Sequence, residues 1–230
     1  MSRENEHRPS LAVRALEGTH ELVVRTALRY VPAGSRALDL GAWSGALTKL
    51  LLAANFQVTA ADLENVFQLP TDFVALDFND ASFDRALGSQ FDLITSVEVI
   101  EHLENPTAFL RSIARLLAPG GVAILTTPNV ENVPARLKFL LGGKVRAMDE
   151  HAPEHVTPIH LDLFFRKIVP VSGLELADHF VHPQNKFPLT ARSYMAPFFR
   201  MLMPFLKGPA LSGDCHFFVL KKAELKKATG

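Results

Sequence analysis

Apolar residues along the chain fall into two kinds of segment that alternate with each other. Short, nearly continuous apolar runs are typical of buried strands, whereas longer stretches with apolar residues at helical spacing are typical of surface helices. The predicted strands are residues 37–40, 56–61, 73–76, 91–96, 122–126, 174–181 and 216–220, and the predicted helices are residues 11–30, 45–54, 80–87, 106–117 and 131–141.

Helix start and stop signals support this division. Ser10 is a suitable N-cap for the first helix, and Asn105 followed by Pro106 opens the fourth, which the Pro-Gly-Gly at 119–121 ends. Repeated strand and helix alternation with short links predicts an α/β fold, in which helices cover both faces of a parallel sheet. We therefore expect a Rossmann-like, doubly wound seven-stranded sheet, mostly parallel with an antiparallel last strand.

Length, charge and cysteine content restrict the classes of protein. The 230 residues predict a single domain, 1–230, with an N-terminal helix at about 10–30 and insertions at about 130–165 and 183–212. Lys and Arg total 24, as do Asp and Glu, so no overall field attracts nucleic acid. Cys215 is the single cysteine, which excludes an intramolecular disulfide. The polar N-terminus and the lack of an apolar run of about 20 residues favour a cytoplasmic protein.

A glycine-containing turn follows the first predicted strand. Gly41 and Gly45 frame it, and such a turn before a helix binds nucleoside-containing ligands at the carboxyl edge of the sheet. A dinucleotide site requires two further glycines, whose positions are occupied by Trp43 and Ala46. The indole would block a pyrophosphate, which disfavours NAD or FAD and favours S-adenosylmethionine (SAM), a nucleoside without phosphate. Asp62, 21 residues after Gly41, is placed to bind the ribose hydroxyls.

Further polar residues follow the next strands. Asp77 comes after the third predicted strand and Glu98 after the fourth, with Glu101 and His102 just beyond it. These positions share the edge at which open α/β sheets bind ligands. Asp77 is placed to accept a hydrogen bond from the adenine amino group while Phe78 covers the ring.

Taken together, these motifs resemble class I SAM-dependent methyltransferases, in particular the ubiquinone-type and glycan-tailoring O-methyltransferases. The resemblance rests on Asp39-x-Gly41-x-x-x-Gly45, Asp62, Asp77-Phe78, and residues 91–103 and 117–121, and it covers residues 36–129. It implies SAM as the cofactor and O-methylation of a small molecule, saccharide or lipid-linked saccharide. The implied cofactor-binding residues are Asp39, Gly41, Ala42, Trp43, Gly45, Asp62, Leu63, Asp77, Phe78 and Glu98.

Two histidines are the candidates for a catalytic base. The leaving group of SAM is a neutral thioether, so a base is needed only where a hydroxyl acceptor must lose its proton. Imidazole suits this role near neutral pH. His102 follows the fourth strand and His155 lies in the segment 149–158; for both, a role in fastening a loop is the structural alternative.

Two alternatives remain open on the sequence. Glu98, Glu101 and His102, with a distant histidine, also resemble the metal-binding set of small-RNA 2′-O-methyltransferases, and a divalent ion would suit these side chains. The same motif occurs in relatives without an assigned metal, and the neutral charge does not favour RNA, so we expect neither a metal nor a nucleic-acid partner. The other alternative is a non-catalytic protein of the same fold that only binds a nucleoside or a partner.

The segment 194–206 is the most apolar part outside the predicted sheet. It contains Pro197 and Pro204, which limit a helix to short pieces, and it is flanked by Arg192 and Lys207. We expect either a lid over the acceptor or a contact with a membrane or lipid-linked substrate. The protein is thus expected to be cytoplasmic and, in the second case, peripheral to the membrane.

Overall fold

The computed structural model describes residues 11, 13, 15–88, 90–150, 152–184, 196–205 and 210–223. Ser10, the predicted first N-cap, and parts of the segments 183–212 and 194–206 lie outside these residues. The strands are β1 (Arg36–Leu40), β2 (Gln57–Asp62), β3 (Phe73–Ala75), β4 (Phe91–Val97), β5 (Leu117–Pro128), β6 (Leu174–His182) and β7 (Cys215–Lys222). The α-helices are α1 (Thr19–Tyr30), α2 (Ala46–Ala53), α3 (Asp84–Leu87), α4 (Pro106–Leu116), α5 (Val133–Gly142), α6 (Leu161–Leu163), α7 (Val169–Ser172) and α8 (Ala196–Leu202).

The described strands form one seven-stranded sheet in the order β3-β2-β1-β4-β5-β7-β6. The pairs among β1 to β5 are parallel, and β7 runs antiparallel to both β5 and β6. The predicted sheet, mostly parallel with an antiparallel last strand, is confirmed. The strand order reverses between β1 and β4, where open α/β sheets bind ligands beyond the carboxyl ends of the strands.

Hydrophobic packing covers both faces of the sheet. Ala37 of β1 packs in a cluster with Val23 of α1 and Leu51 of α2. Leu38, the next residue along β1, packs in a second cluster with Phe109 of α4. Because successive side chains of a strand point to opposite faces, one helix layer lies on each side of the sheet, as in a doubly wound fold.

Two helix boundaries show how local signals work in this chain. The fourth predicted helix is confirmed as α4: Asn105 Oδ1 accepts a hydrogen bond from the Ala108 N–H at 3.0 Å, and Pro106 is the first helical residue. The first predicted helix was too long, because α1 begins at Thr19. Gly18 precedes it with φ 79°, a left-handed conformation that separates the residues before it from the helix.

A pair of histidines joins the antiparallel strands β6 and β7. His179 Nε2 of β6 and His216 Nδ1 of β7 are hydrogen-bonded at 3.2 Å, and His216 is fully buried. Burial, together with the neighbouring His179, lowers the pKa of His216 from 6.5 to about 3. The folded protein therefore holds His216 neutral at pH values at which the unfolded chain binds a proton.

This difference predicts a loss of stability in acid. Stability from the neutral His216 is complete above pH 6.5 and is lost as the pH falls from 6.5 towards 3. Between pH 7.5 and pH 4.5, the free energy of unfolding should fall more in wild type than in His216→Phe. We expect the two falls to differ by about 2 to 3 kcal/mol. Urea unfolding at the two pH values measures this; His160→Gln, at a half-exposed histidine, should behave as wild type. If the free energy of unfolding falls equally in His216→Phe and in wild type, the folded protein does not hold His216 neutral.

Candidate functional site

A cavity of about 490 Å³ lies at the carboxyl ends of β1, β2, β3 and β4. The segments that follow these strands form most of its wall, at residues 41–43, 62–64, 77–79 and 97–99. The N-terminal segment contributes Ala15 and His20, and His102, Leu103, Glu154 and His155 form a further part. Most of the expected site residues therefore line the same cavity: Gly41, Ala42, Trp43, Asp62, Leu63, Asp77, Phe78, Glu98, His102 and His155.

The loop after β1 approaches the neighbouring segment closely. Gly41 has φ 86°, and a Cβ placed on it would lie 2.3 Å from Val99 Cγ2. Trp43 has φ 48°, and its backbone N–H donates a hydrogen bond to Asp62 Oδ2 at 2.7 Å. Asp62 thus fixes this loop while it also lines the cavity, and each of its oxygens can accept a further hydrogen bond from a ligand.

Asp39 and Gly45, both expected to bind the cofactor, do not reach the cavity wall. Asp39 is buried below the loop, where it accepts hydrogen bonds from Thr48 Oγ1 at 2.7 Å and Thr95 Oγ1 at 3.0 Å. Burial raises the pKa of Asp39 to about 6, against the effect of these hydrogen bonds. Gly45 precedes α2 with φ 95°, and a Cβ there would meet Leu69 Cδ1 at 2.9 Å. Asp39 thus links β1 to α2 and β4 by hydrogen bonds, whereas Gly45 allows close packing at the start of α2.

The segment after β3 has one exposed and one buried site residue. Asp77 is exposed at the cavity rim, and its Oδ1 accepts a hydrogen bond from the Asn79 N–H at 2.9 Å. Phe78 lines the cavity but packs mostly inward, with its ring centroid 5.3 Å from that of Phe83 and 5.9 Å from that of Phe109. A ligand can therefore contact only a small part of the Phe78 ring.

Glu98 lies in a strained conformation at the end of β4. Its φ is 54°, uncommon for a residue with a side chain. Glu98 Oε1 accepts hydrogen bonds from Thr126 Oγ1 at 3.0 Å and from the Cys215 thiol at 3.2 Å. Burial raises the pKa of Glu98 and these two donors oppose the rise. Strands β5 and β7 thus orient a carboxylate at the cavity wall.

Glu101, His102 and His155 come together beside Glu98. One ligand atom from each of the three residues lies within 4.8 Å of the others. Glu101 is fully buried; its Oε2 accepts from Thr127 Oγ1 at 3.0 Å, whereas its Oε1 has no hydrogen-bond partner among the described residues. Burial, and the nearby charge of Glu98, raise the pKa of Glu101 well above its usual range.

Backbone carbonyls determine the tautomers of the two histidines. His102 Nδ1 lies 3.2 Å from the Glu154 carbonyl oxygen, and His155 Nδ1 lies 2.6 Å from that of Ala147. A carbonyl oxygen only accepts, so each Nδ1 carries the proton and each Nε2 carries a lone pair when the ring is neutral. The two rings meet edge to face with centroids 4.6 Å apart. Both can act as a base or as a metal ligand through Nε2.

The segment that carries His155 is fastened to the core. The backbone N–H groups of Val156 and Thr157 both donate to the Glu101 carbonyl oxygen at 2.9 Å. Arg146 forms an ion pair with Asp214 at the start of β7. These contacts hold His155 against the cavity. By contrast, the apolar residues 139–141 are exposed, Ile159 and Leu161 are in the core, and none of these residues lines the cavity.

The charge of the cavity wall is one-sided. Its described residues include five carboxylates and three imidazoles, and none is Lys or Arg. Such a wall disfavours a pyrophosphate and favours a cation such as the sulfonium of SAM. The carboxylates are Asp62, Glu64, Asp77, Glu98 and Glu154.

Several polar residues of this site were not predicted from the sequence, among them Thr126, Thr127 and His20. Thr126 and Thr127 hold Glu98 and Glu101 from the end of β5, and His20 reaches the cavity from α1. Two adjacent threonines at the carboxyl end of a predicted strand were a usable signal for the first two. His20 follows no predicted strand, so the rule that ligands bind at the carboxyl ends of the strands did not apply to it.

Comparison with known proteins defines the class. Residues 11–170, more than half of the chain, match the family model of a methyltransferase domain. The structure resembles a SAM-dependent methyltransferase from Clostridium acetobutylicum (TM-score 0.61, 14% identity, 89% of this chain and 91% of that one). It also resembles the putative methyltransferase of Haloferax volcanii in complex with its Trm112 activator (TM-score 0.63, 19% identity, 89% and 91%). The predicted resemblance to methyltransferases and the predicted fold are confirmed.

The chain belongs to the methyltransferase-domain family, whose SAM-dependent members share this fold. A curated relative is the ubiquinone biosynthesis O-methyltransferase of Xanthomonas axonopodis pv. citri, 32% identical over 65% of this chain and 66% of the relative. Another is that of Psychrobacter arcticus, 28% identical over 71% and 67%. The chain thus matches slightly less than two thirds of the Xanthomonas relative.

Proposed function

We propose that this protein transfers the methyl group of SAM to a hydroxyl oxygen of a small molecule. The observation that carries the proposal is that His102 and His155, clustered with the buried Glu101, line a cavity whose wall also includes the glycine loop. The acidic wall supports a cationic cofactor, and the relatives named as O-methyltransferases support oxygen as the acceptor atom. Residues 41–43, 62–63 and 77–78 would hold SAM, and we propose that the whole chain forms one methyltransferase domain.

The reaction needs few chemical groups. A lone pair of the acceptor oxygen forms a bond to the methyl carbon, and the carbon–sulfur bond breaks with its electron pair passing to sulfur, which leaves S-adenosylhomocysteine. The hydroxyl proton passes to Nε2 of His155 or His102. Holding the acceptor in line with the methyl group contributes up to about 7 to 11 kcal/mol to such a step, and the base contributes a further factor of roughly 10² to 10⁴.

Methyl-labelled SAM tests this proposal. The protein is incubated with labelled SAM and a panel of phenols, catechols and saccharides, and both labelled product and S-adenosylhomocysteine are measured. We expect stoichiometric formation of the two with at least one hydroxylated acceptor. SAM binding without either product, with the panel and with a cell extract, would favour the alternative of a non-catalytic binding protein.

A divalent metal ion is a second candidate for activating the acceptor. The specific observation is that Glu101 Oε1 is buried without a described partner beside two imidazole lone pairs, a donor set that suits a borderline cation. A bound cation would lower the pKa of an acceptor hydroxyl. It would be held by Glu101, His102 and His155, whereas Glu98, which belongs to the metal-binding alternative considered from the sequence, has one oxygen engaged by Thr126 and Cys215.

Metal content distinguishes this candidate from a metal-free base. In the metal-dependent case, chelation should reduce methyl transfer at least about tenfold and added Mg²⁺, Mn²⁺ or Zn²⁺ should restore it. Elemental analysis should then find about one ion per chain in wild type and less in Glu101→Gln. Full activity of metal-free protein would leave the histidines as the base.

An exposed apolar surface lies on two helices outside the cavity wall. The described residues contain no helix long and apolar enough to cross a bilayer. Helices α5 and α8 are in contact, and together they expose an apolar surface, here called the α5–α8 patch. Arg200 is exposed beside it. We propose that the protein is cytoplasmic and that it touches a membrane or a lipid-linked saccharide through this patch, which comprises Phe139, Leu140, Leu141, Phe198, Met201 and Phe205.

Vesicle binding tests the α5–α8 patch. Wild type should co-sediment with vesicles that contain anionic phospholipid, and the triple change Phe198→Ser, Met201→Ser and Phe205→Ser should reduce the bound fraction at least about fivefold, because apolar burial and basic charge act together. Val171→Ser removes an equally exposed apolar side chain outside the patch and should not alter binding. Absence of wild-type binding would contradict this part of the proposal.

A further inference from the structure

The segment 146–155, which ends at the candidate base His155, is anchored to the sheet at its start. Arg146 forms an ion pair with Asp214, which directly precedes β7. Its Nη1 also donates a hydrogen bond at 3.2 Å to the carbonyl oxygen of Asn129, which directly follows β5. The side chains of Arg146 and Asp214 are only 25% and 12% exposed, so water screens this pair less than it screens a surface pair.

Ala147, the next residue, presents its carbonyl oxygen to the ring of His155. Its φ is 60°, a left-handed conformation that is unfavourable for a residue with a side chain. Its carbonyl oxygen lies 2.6 Å from His155 Nδ1. Such a conformation persists where surrounding contacts over-determine it, and the two contacts of Arg146 fix the chain that leads into Ala147.

The main chain of His155 has support of its own. The Ala152 N–H donates to the Asp149 carbonyl oxygen at 2.9 Å, and the His155 N–H donates to the Ala152 carbonyl oxygen at 3.1 Å. Asp149 is in turn paired with Lys138 of α5. These turns place the backbone of His155, whereas the contact with the Ala147 carbonyl oxygen orients its ring.

We infer that Arg146 and Asp214 form a positioning pair for His155, an inference that rests on the proposed methyl transfer. By fixing the Ala147 carbonyl, the pair holds the ring as the Nδ1–H tautomer, whose Nε2 lone pair takes the proton of the acceptor hydroxyl. Without this acceptor, the neutral ring would exchange between its two tautomers. In the Nε2–H form, Nε2 has no lone pair and cannot take that proton.

The start of β7 gives the pair a fixed reference point. The Asp214 N–H donates to the His182 carbonyl oxygen at 2.8 Å, and the Asp214 carbonyl oxygen accepts from the Asn129 N–H at 2.6 Å. The next residue, Cys215, donates from its thiol to Glu98 Oε1 at 3.2 Å. Two neighbouring residues of this strand therefore act on two different groups of the cavity wall, and groups held by a strand are placed more precisely than groups held by a loop.

The tautomer of His155 is measured on the full chain with ¹⁵N-labelled histidine, from two-bond correlations between ring nitrogens and ring protons, at a pH at which the ring is neutral. Its signals, among those of nine histidines, are the ones absent from His155→Gln. We expect the Nδ1–H form in wild type and a mixture with the Nε2–H form in Arg146→Gln. Methyl transfer in Arg146→Gln should be about 10- to 100-fold slower, the range for loss of a group that orients a metal-ligating histidine, with unchanged affinity for SAM.

Three further variants separate positioning from general stability. Asp214→Asn breaks the same ion pair from the other side and should reproduce both effects, whereas Arg146→Lys keeps the pair and should keep the Nδ1–H form. Lys144→Gln, which removes the nearby exposed pair with Glu150, should change neither the tautomer nor the rate.

The tautomer decides the inference, because a merely structural role would not alter it. Wild-type methyl transfer together with an unchanged Nδ1–H form in both Arg146→Gln and Asp214→Asn would overturn the inference and leave the proposed function intact, whether or not these variants transfer more slowly. Failure of wild type to transfer a methyl group to any acceptor would overturn both.

Discussion

Replacing Gly41 by alanine should lower the affinity for SAM at least about 100-fold and the free energy of unfolding by about 2 to 4 kcal/mol. The added Cβ would lie 2.3 Å from Val99 Cγ2, at a backbone φ of 86°. Val99 is itself buried and follows Glu98, so relief of the clash moves a second cavity segment. Calorimetric titration with SAM and urea unfolding measure the two effects.

Gly34 provides a matched control for this change. Its φ is 89°, close to that of Gly41, but a Cβ there meets nothing within 4 Å. Gly34→Ala should therefore introduce only backbone strain, which lowers the free energy of unfolding by about 1 to 2 kcal/mol. It should bind SAM as wild type does. Adding Val99→Ala to Gly41→Ala should recover part of the stability. Equal SAM affinities for Gly41→Ala and Gly34→Ala would show that the close approach does not shape the site.

The residues at the carboxyl edge of the sheet could be predicted because their positions follow from the local sequence pattern. Each apolar run that ends in a polar residue places that residue at the carboxyl edge of a parallel sheet, and the edges coincide once the strands pair. Asp62, Asp77 and Glu98 reached the same cavity for this reason. The family motifs lie within these segments, so fold and cofactor class followed from residues 36–129.

The sequence pattern could not predict which side chains are buried or which distant segments come into contact. Asp39 lies within strand β1, where Thr48 of helix α2 and Thr95 of strand β4 enclose it, whereas Asp62 is the last residue of β2. The sequence pattern does not show which carboxylate is covered by neighbouring elements. His155 reaches the cavity only because its segment is fastened to Glu101, and His20 because α1 begins where Gly18 permits. These positions depend on tertiary packing.

Replacing His155 by alanine should slow the methyl transfer step by about 100- to 10 000-fold, the range of a lost general base. The affinity for SAM should stay within about threefold of wild type, because the loop after β1 and Asp62 do not contact this side chain by any described hydrogen bond. Single-turnover measurement with labelled SAM and an accepted hydroxyl substrate separates the two quantities.

His160 is the matched control, since it belongs to the same insertion and pairs with Glu131 outside the cavity wall. His160→Ala should keep the wild-type rate of methyl transfer. Free imidazole should restore part of the rate in His155→Ala, because a small base can occupy the space that the ring leaves and take the acceptor proton. A loss without rescue, accompanied by a lower free energy of unfolding, would instead assign His155 to the fastening of its segment through the Ala147 carbonyl.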